Sequence, residues 1–248
     1  GIGGNFRLEG WLEGRRPCEA RDCLQKDKMQ MIGAKLCEFH QLKMNPRAKH
    51  RYDTDEFWYQ LDHTLELLKA CGTIDWIDVS KIEAELDFFR SIFVPGYAAL
   101  DIAAREVGDF RNFMDRKGPR AKQRLAQEFL FHIGFIHFDL LGSNIMYDPE
   151  KKDVMIIDFD YVTHGPVGAD IGNHFRAIVE TALIDTGELN LDMFPNAMKQ
   201  AYWIRAYIEK GHEMGIKGFD KYIECVDEII ETLPMFCMIS CLRWLKKS

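Results

Sequence analysis

The stretch GFIHFDLLGSNIMYD, residues 134–148, decides how the rest of the sequence is interpreted. Two apolar runs in it flank a polar turn that carries His137, Asp139, Ser143 and Asn144. Short apolar runs bounded by turn residues predict strands. The stretch therefore predicts a strand, a loop with four chemically capable side chains, and a second strand.

A returning strand follows directly along the chain. The polar residues DPEKKD, 148–153, predict a turn, and the apolar run VMII, 154–157, predicts a strand that pairs with the one before it. This pairing would bring Asp158 close to Asn144 and to the loop of Asp139. The three side chains are thus expected to converge on a small hairpin that spans residues 133–161.

Helical periodicity dominates on both sides of this hairpin. Apolar residues recur at three- and four-residue spacing, which predicts amphipathic helices. Pro234 is expected to kink or divide the last of them, because proline cannot donate a helical hydrogen bond. The predicted helices cover residues 22–42, 54–70, 98–116, 119–131, 170–184, 195–214 and 219–247, and a further helix opens at Ser80. We therefore predict an α+β fold that is mostly helical, with one small embedded β-hairpin.

Composition limits the class of protein. Of the 248 residues, 47% are hydrophobic and 29% are charged, which is typical of a globular domain. The formal net charge is −7 and the pI is near 5.7, which argues against a nucleic-acid-binding protein. The longest apolar run, residues 235–245, is too short for a transmembrane segment. The scattered cysteines favour reduced thiols and a cytoplasmic location.

The polar loop has the residue types and spacing of a phosphotransferase catalytic loop. His137, Asp139 and Asn144 fit the kinase pattern His-x-Asp-x-x-x-x-Asn. Phosphoryl transfer needs a carboxylate that accepts the proton of the attacking hydroxyl, and hard oxygen ligands for the Mg²⁺ that accompanies ATP. We assign the first role to Asp139 and the second to Asn144 and Asp158, and we expect His137 to support the loop.

A simpler interpretation of the same residues is also open. Aspartate and asparagine are common in ordinary turns, so Asp139 and Asn144 could be turn residues and Asp158 could do no more than end a strand. The coincidence of all three with a predicted hairpin favours the catalytic interpretation.

Several stretches resemble one family of kinases. GFIHFDLLGSNIMYD, IIDFDY at 156–161 and GADIGNHF at 168–175 resemble the choline/ethanolamine kinase family, within the wider group of aminoglycoside-phosphotransferase-like kinases. RLEGWLEGRR, residues 7–16, resembles that family's hinge between lobes. AKLCEFHQLKM, residues 34–44, resembles the helix after the hinge. The resemblance implies a protein-kinase-like carboxy-terminal lobe over residues 17–248. Residues 1–16 would form a hinge-like segment and a remnant of the amino-terminal lobe, with the amino-terminal β lobe itself not present in this chain.

The resemblance also implies roles for individual residues. Asp139 would be the catalytic base, Asn144 and Asp158 would bind Mg²⁺, Asp160 would be a second acidic residue needed for activity, and Asp170 would brace the loop. The residues implied to contact ATP are Glu9, Gly10, Leu12 and Ile157. Those implied to contact the acceptor are Asp139, Tyr161, Glu180 and Trp244. The implied reaction is phosphorylation of choline or ethanolamine, the first step of phospholipid head-group synthesis.

The expected acceptor site departs from the family pattern. Ala177, Ala182 and Lys247 stand where the family usually has a glutamate, a tyrosine and a tryptophan around the substrate cation. Glu180, one helical turn after Ala177, could replace the lost carboxylate. Two alternatives therefore stay open: a related kinase for another alcohol, such as an aminoglycoside, and a non-catalytic binding protein derived from such a kinase. A homodimer is one candidate assembly.

Overall fold

A computed structural model of the chain describes residues 12–42, 54–70, 78–101 and 121–244. The helices in these ranges are α1 (Lys26–His40), α2 (Thr54–Ala70), α3 (Val79–Asp101), α4 (Ala121–Leu130), α5 (Val167–Thr186), α6 (Ala197–Glu213) and α7 (Val226–Trp244). The strands are β1 (Arg16–Pro17), β2 (Ile133–Ile136), β3 (Ile145–Asp148), β4 (Asp153–Ile156) and β5 (Thr163–Pro166). The predicted mostly helical α+β fold is confirmed, and most of the helix predicted over 98–116 lies outside the described residues.

The predicted hairpin is formed by β3 and β4. The two strands are antiparallel, with Ile145 opposite Ile156. The Asp148 carboxylate accepts the backbone N–H of Lys151 at 3.0 Å, which closes the turn between them. β1 pairs with the other side of β3, with Arg16 opposite Tyr147. The end of the hinge-like segment is therefore fixed to the strand that follows the polar loop.

β2 does not belong to this sheet, so the prediction of one hairpin over 133–161 is wrong. β2 pairs antiparallel with β5, with Ile136 opposite Thr163. The sequence THGP of β5 has no apolar run, and its glycine and proline argue against a strand. The glycine allows close packing, because a Cβ at Gly165 would lie 2.6 Å from Cδ1 of Ile136 and 3.2 Å from Cδ2 of Phe57. The loop that carries Asp139 thus connects two different sheets.

The helices surround both sheets, and α5 lies closest to the loop. α5 packs against α7, and α1 packs against α6. A Cβ at Gly172 would lie 2.7 Å from the backbone of α7, so this glycine permits the close approach of the two helices. Pro234 was expected to kink or divide the last helix, and it does not divide it, because α7 is continuous through this proline. The predicted 219–247 helix is divided earlier, where a 3-10 helix (Asp220–Cys225) precedes α7.

The core is rich in aromatic rings. Phe57, Phe138 and Phe175 are each completely buried. Phe138 belongs to the polar loop itself, and its ring centroid lies 5.5 Å from that of Phe57 in α2. The loop is therefore anchored in the core by an apolar side chain next to Asp139. None of the described helices combines the length and the apolar character needed to cross a membrane.

Candidate active site

A side chain in the first turn of α5 binds backbone N–H groups of the polar loop. The carboxylate of Asp170 accepts the N–H of His137 at 2.6 Å and the N–H of Phe138 at 2.5 Å. Asp170 is completely buried, and Nε2 of His40 lies 3.0 Å from the same carboxylate. Burial by itself would raise the pKa of Asp170, but the hydrogen bonds from His40 and from the His137 amide outweigh it and lower the pKa. We call Asp170 with these two N–H groups the amide clamp.

Three further side chains of α5 bind the loop on the same helical face. Oδ1 of Asn173 accepts the N–H of Leu140 at 2.7 Å, and Nδ1 of His174 lies 3.2 Å from the Leu140 carbonyl. Oγ1 of Thr181 accepts the N–H of Gly142 at 3.1 Å. Their helical spacing directs all of them, with the amide clamp, toward the loop. Side chains of one helix, α5, therefore form hydrogen bonds with backbone groups along the whole loop.

The structure brings Asp139, Asn144 and the end of β4 together. Nδ2 of Asn144 donates to the Asp139 carbonyl at 2.8 Å, and the N–H of Ile157 donates to the Asn144 carbonyl at 3.0 Å. Asp158 is the next residue and is partly exposed, whereas Asp139 is 6% exposed. The convergence expected from the sequence is thus present in the backbone that carries the three side chains.

Two residues of this site have left-handed backbone conformations. Phe138, which precedes Asp139, has a φ of 61°, and Asp158 has a φ of 63°. For residues other than glycine, asparagine and aspartate this region costs about 1 kcal/mol or more, and such strain collects at functional sites. The amide clamp and the buried ring hold Phe138 in this conformation. The surrounding structure, rather than local preference, therefore sets the direction of the Asp139 side chain.

His137 connects the loop to the end of β4. Its Nδ1 accepts the N–H of Asp139 at 3.2 Å, so Nε2 carries the proton and donates to the Ile157 carbonyl at 2.8 Å. Phe159 lies edge-on to His137 at 5.7 Å and stacks on Phe39 of α1 at 5.7 Å, with 10° between the rings. His137 is completely buried, in keeping with a supporting position.

The donor atoms at this site suit Mg²⁺. Because Nδ2 of Asn144 is used in the bond to Asp139, its Oδ1 is the atom that would face a cation, and Asp158 directly follows the Ile157 amide that bonds the Asn144 carbonyl. Mg²⁺ commonly takes one or two protein oxygen ligands and completes its shell with phosphate and water. Within the described ranges, no group of three or more His, Cys, Asp or Glu side chains could hold a metal ion. An amide oxygen and one carboxylate would suit a Mg²⁺ ion whose remaining ligands are phosphate and water.

The other predicted site residues lie around this centre or outside the described residues. Asp160 is exposed and Tyr161 is partly exposed, two and three residues beyond Asp158, and Leu12 is partly exposed ahead of β1. Ile157 joins the centre through its backbone, as described above. The residues outside the described part are Glu9, Gly10 and Lys247, and the side chain of Trp244 also lies outside it.

Glu180 is already engaged in an ion pair. Its Oε2 lies 2.6 Å from NH1 of Arg176, one helical turn earlier in α5. Nε of the same arginine donates to Oγ of Ser240 in α7 at 3.1 Å. Ala177 is completely buried, and Ala182 is 3% exposed. The carboxylate that could replace the family's glutamate is therefore neutralised by a neighbouring guanidinium.

Sequence reasoning missed several residues that support the loop. Asn173, His174 and Thr181 could have been found, because they share a helical face with Asp170. His40 and Tyr207 give no such signal, since they come from other helices. Their connection to Asp170 becomes visible only when the fold brings α1, α5 and α6 together.

A family model and curated proteins match the chain. The model described as choline/ethanolamine kinase matches residues 1–246. The chain is 29% identical over 148 residues to ethanolamine kinase 1 of Homo sapiens, across 58% of this chain and 30% of that protein. It is 25% identical over 248 residues to the probable choline kinase 2 of Arabidopsis thaliana, across 97% of this chain and 57% of that protein. The chain spans about half the length, or less, of these relatives.

Two solved structures have a similar fold. The ethanolamine kinase of Plasmodium vivax has a TM-score of 0.62 at 15% identity, across 94% of this chain and 56% of that one. The choline kinase of Cryptosporidium parvum has a TM-score of 0.64 at 15% identity, across 94% of this chain and 62% of that one. At this identity the likeness concerns the fold alone, and it confirms the predicted protein-kinase-like architecture.

Proposed function

The chain belongs to the choline/ethanolamine kinase family, and on that premise we propose that it carries the catalytic loop of a kinase that phosphorylates choline or ethanolamine with ATP. The supporting observation is the bond from Nδ2 of Asn144 to the Asp139 carbonyl at 2.8 Å. Together with the Ile157 amide, it holds a candidate base and two candidate Mg²⁺ ligands at one point. A kinase needs these groups close together, and an ordinary turn does not.

Asp139 is the proposed base of the reaction. Its carboxylate would accept the proton of the attacking hydroxyl while the γ-phosphoryl group is transferred. The amide clamp fixes the backbone on its amino-terminal side, and Asn144 fixes its carbonyl. Such positioning supplies much of the rate enhancement in phosphoryl transfer, where the protein does little covalent chemistry.

Asn144 and Asp158 are the proposed metal ligands. Mg²⁺ held by their oxygens would neutralise charge on the phosphates. Asp160, which is exposed and lies two residues after Asp158, is proposed as a second acidic residue needed for activity.

The domain organisation is part of the same proposal. Residues 17–248 would form the lobe with the catalytic loop, and residues 1–16 the hinge-like segment, whose Glu9, Gly10 and Leu12 would contact adenine. The pairing of β1 with β3 supports this arrangement, because it places the end of the segment beside the hairpin that leads to Ile157. A cytoplasmic location, a homodimer and a role in phospholipid head-group synthesis belong to this proposal on family grounds.

A different alcohol is the second candidate for the acceptor. The pairing of Glu180 with Arg176 favours it, because a neutralised carboxylate attracts a substrate cation weakly. The buried Ala177 supplies no charge in its place. An alcohol without a permanent positive charge would suit this part of the site better than choline.

A substrate panel tests the proposal and separates the candidates. The full-length gene product would be assayed for ADP release with choline, ethanolamine, an aminoglycoside and uncharged alcohols. We expect turnover with an amino alcohol, and a loss of about 10³-fold in kcat for D139N, as removal of a general base causes. S143A is the matched control, since Ser143 is exposed in the same loop. Preference for another alcohol would select the second candidate, and absence of any Asp139-dependent turnover would refute both.

A further inference from the structure

His40 lies between the amide clamp and a buried tyrosine. Its Nε2 is 3.0 Å from Oδ2 of Asp170, and its Nδ1 is 2.7 Å from the hydroxyl of Tyr207. The side chains of His40 and Asp170 are both 0% exposed, and Tyr207 is 1% exposed. The three residues come from α1, α5 and α6, so three helices meet at the carboxylate that holds the loop.

The direction of these hydrogen bonds follows from chemistry. An ionised carboxylate can only accept, so Nε2–H of His40 donates to Asp170. Nδ1 then exchanges one hydrogen bond with the Tyr207 hydroxyl, as acceptor in the neutral ring or as donor in the protonated ring. In either state the tyrosine fixes the plane of the imidazole, and the imidazole fixes one oxygen of the carboxylate.

This constraint matters because the χ2 torsion of aspartate is soft. Rotation about an sp³–sp² bond has a broad energy well, so a carboxylate without lateral contacts samples many orientations. In Asp170, Oδ1 accepts from Phe138, whereas Oδ2 accepts from both His137 and His40. The bond from His40 therefore adds a third hydrogen bond to the orientation in which both oxygens accept from the loop.

We propose that His40 and Tyr207 are positioning residues for the catalytic loop. They hold the carboxylate of Asp170 in the orientation that fixes the backbone of Phe138, and Phe138 in turn directs Asp139. The assignment to catalysis rests on the proposed function, whereas the effect on the loop backbone does not. The two parts can therefore be tested separately.

Tyr207→Phe in the full chain is the decisive variant. It removes one hydroxyl and keeps the ring, so packing is preserved. We expect the amide ¹H–¹⁵N signals of His137 and Phe138 to shift, and kcat for the preferred alcohol to fall about fivefold, as loss of one hydrogen bond predicts. KM should stay within about twofold, because the pair acts on positioning rather than on substrate binding.

Tyr222→Phe is the matched control. Tyr222 is also buried, at 8% exposed, and its hydroxyl donates to Oε1 of Glu128 at 3.2 Å rather than to His40 or the amide clamp. The same chemical change there should leave both amide signals and kcat unchanged. Equal effects of the two substitutions would overturn the proposal, because they would indicate a general consequence of losing a buried hydroxyl.

His40→Gln supplies a second, independent variant. Glutamine can still donate to Asp170 but lacks the planar link to Tyr207, so it should shift the same two amide signals. The H40Q/Y207F double variant should be no more impaired than H40Q, because both residues act through one carboxylate. Additive losses of kcat in the double variant would contradict the proposal. Lowered stability with unshifted amide signals would also contradict it, and would mean that His40 and Tyr207 contribute only to packing. If the amide signals shift in the variants but the unaltered protein turns over no alcohol, the positioning of the loop is supported and the proposed function is refuted.

Discussion

The backbone N–H of Phe138 donates to the Asp170 carboxylate at 2.5 Å while Phe138 itself keeps a φ of 61°. A bulky aromatic residue avoids this backbone region unless other contacts compensate for the strain. The buried carboxylate provides that compensation at a distance of 32 residues along the chain. The conformation of the loop is therefore imposed by a helix that itself carries no proposed reacting group.

Asp170→Asn should damage both stability and activity. Asparagine has one acceptor oxygen, so its NH₂ group would face the N–H of either His137 or Phe138, both of which now donate to the carboxylate. Since hydrogen bonds to a buried charge are lost, we expect about 3 kcal/mol less free energy of unfolding. The proposed phosphotransfer should fall by at least about 100-fold. Urea denaturation and ADP release measure the two effects.

Asp185→Asn is the control for that change. Asp185 is exposed, and its Oδ2 accepts only the N–H of Ala20 at 3.1 Å among the bonds described. Its substitution should alter the free energy of unfolding by less than about 1 kcal/mol. If D170N were as stable and as active as the unaltered protein, the amide clamp would have no role in either property.

His174 should make the fold sensitive to mild acid. Its complete burial lowers its pKa to about 4, against an ordinary value near 6.5. Below pH 6.5 the unfolded chain binds a proton that the folded protein does not take up until about pH 4, so stability falls as the pH decreases. The expected loss between pH 7 and pH 5 is about 2 kcal/mol. Urea denaturation at the two pH values measures it.

His174→Asn tests the origin of that loss. An asparagine amide can still donate to the Leu140 carbonyl, which His174 approaches at 3.2 Å, but it does not titrate. The variant should therefore lose about 2 kcal/mol less than the unaltered protein between pH 7 and pH 5. The same pH dependence in both proteins would assign the acid sensitivity to other groups.

Gly142→Ala should displace the turn that carries Asn144. A Cβ at Gly142 would lie 2.6 Å from the carbonyl oxygen of Cys18 and 2.9 Å from Cγ2 of Thr181. Overpacking of this kind costs about 1–3 kcal/mol. We expect reduced thermal stability and a higher Mg²⁺ concentration for half-maximal activity, because the proposed ligand moves. Ser143→Ala at the exposed neighbouring position should change neither, and an unaltered Mg²⁺ requirement in G142A would contradict the proposed role of the turn.

Two substitutions of Asp158 should separate charge from backbone strain. Asparagine tolerates the left-handed region, whereas alanine does not, and Asp158 has a φ of 63°. Both D158N and D158A should lose Mg²⁺-dependent activity, but only D158A should lose about 1 kcal/mol of stability. Thermal unfolding and ADP release distinguish them. Equal stability of the two variants would mean that the conformation at this position carries no strain.

Hydrophobic periodicity and turn residues predicted the helices and strands whose formation depends mainly on the local sequence. The β3–β4 hairpin follows from two apolar runs around a polar turn, and α5 follows from helical periodicity. The 3-10 helix at Asp220–Cys225 and the strand β5 were missed, because neither has a periodicity of its own. β5 pairs with β2 and places Gly165 close to Ile136, and these contacts depend on tertiary packing.

The residues of the candidate site also fall into two groups, those that could be predicted from the sequence and those that could not. Asp139, Asn144 and Asp158 were predicted because their residue types and spacing fit a kinase catalytic loop. The contact of His40 with Asp170 joins residues 130 positions apart, and the contact with Tyr207 joins residues 167 positions apart. No periodic pattern connects such distant positions, so these supporting contacts could be found only in the folded structure.

The hydrogen bonds between α5 and the loop set the smallest segment that could be transplanted into another scaffold. Grafting residues 134–148 alone would move the proposed base Asp139 and the proposed ligand Asn144 but leave the backbone N–H groups of the loop without Asp170, Asn173 and Thr181. The graft would relax toward an ordinary turn, because nothing would stabilise its left-handed residue. A designer would need to move loop and helix as one cassette, although only the loop contains the proposed chemistry.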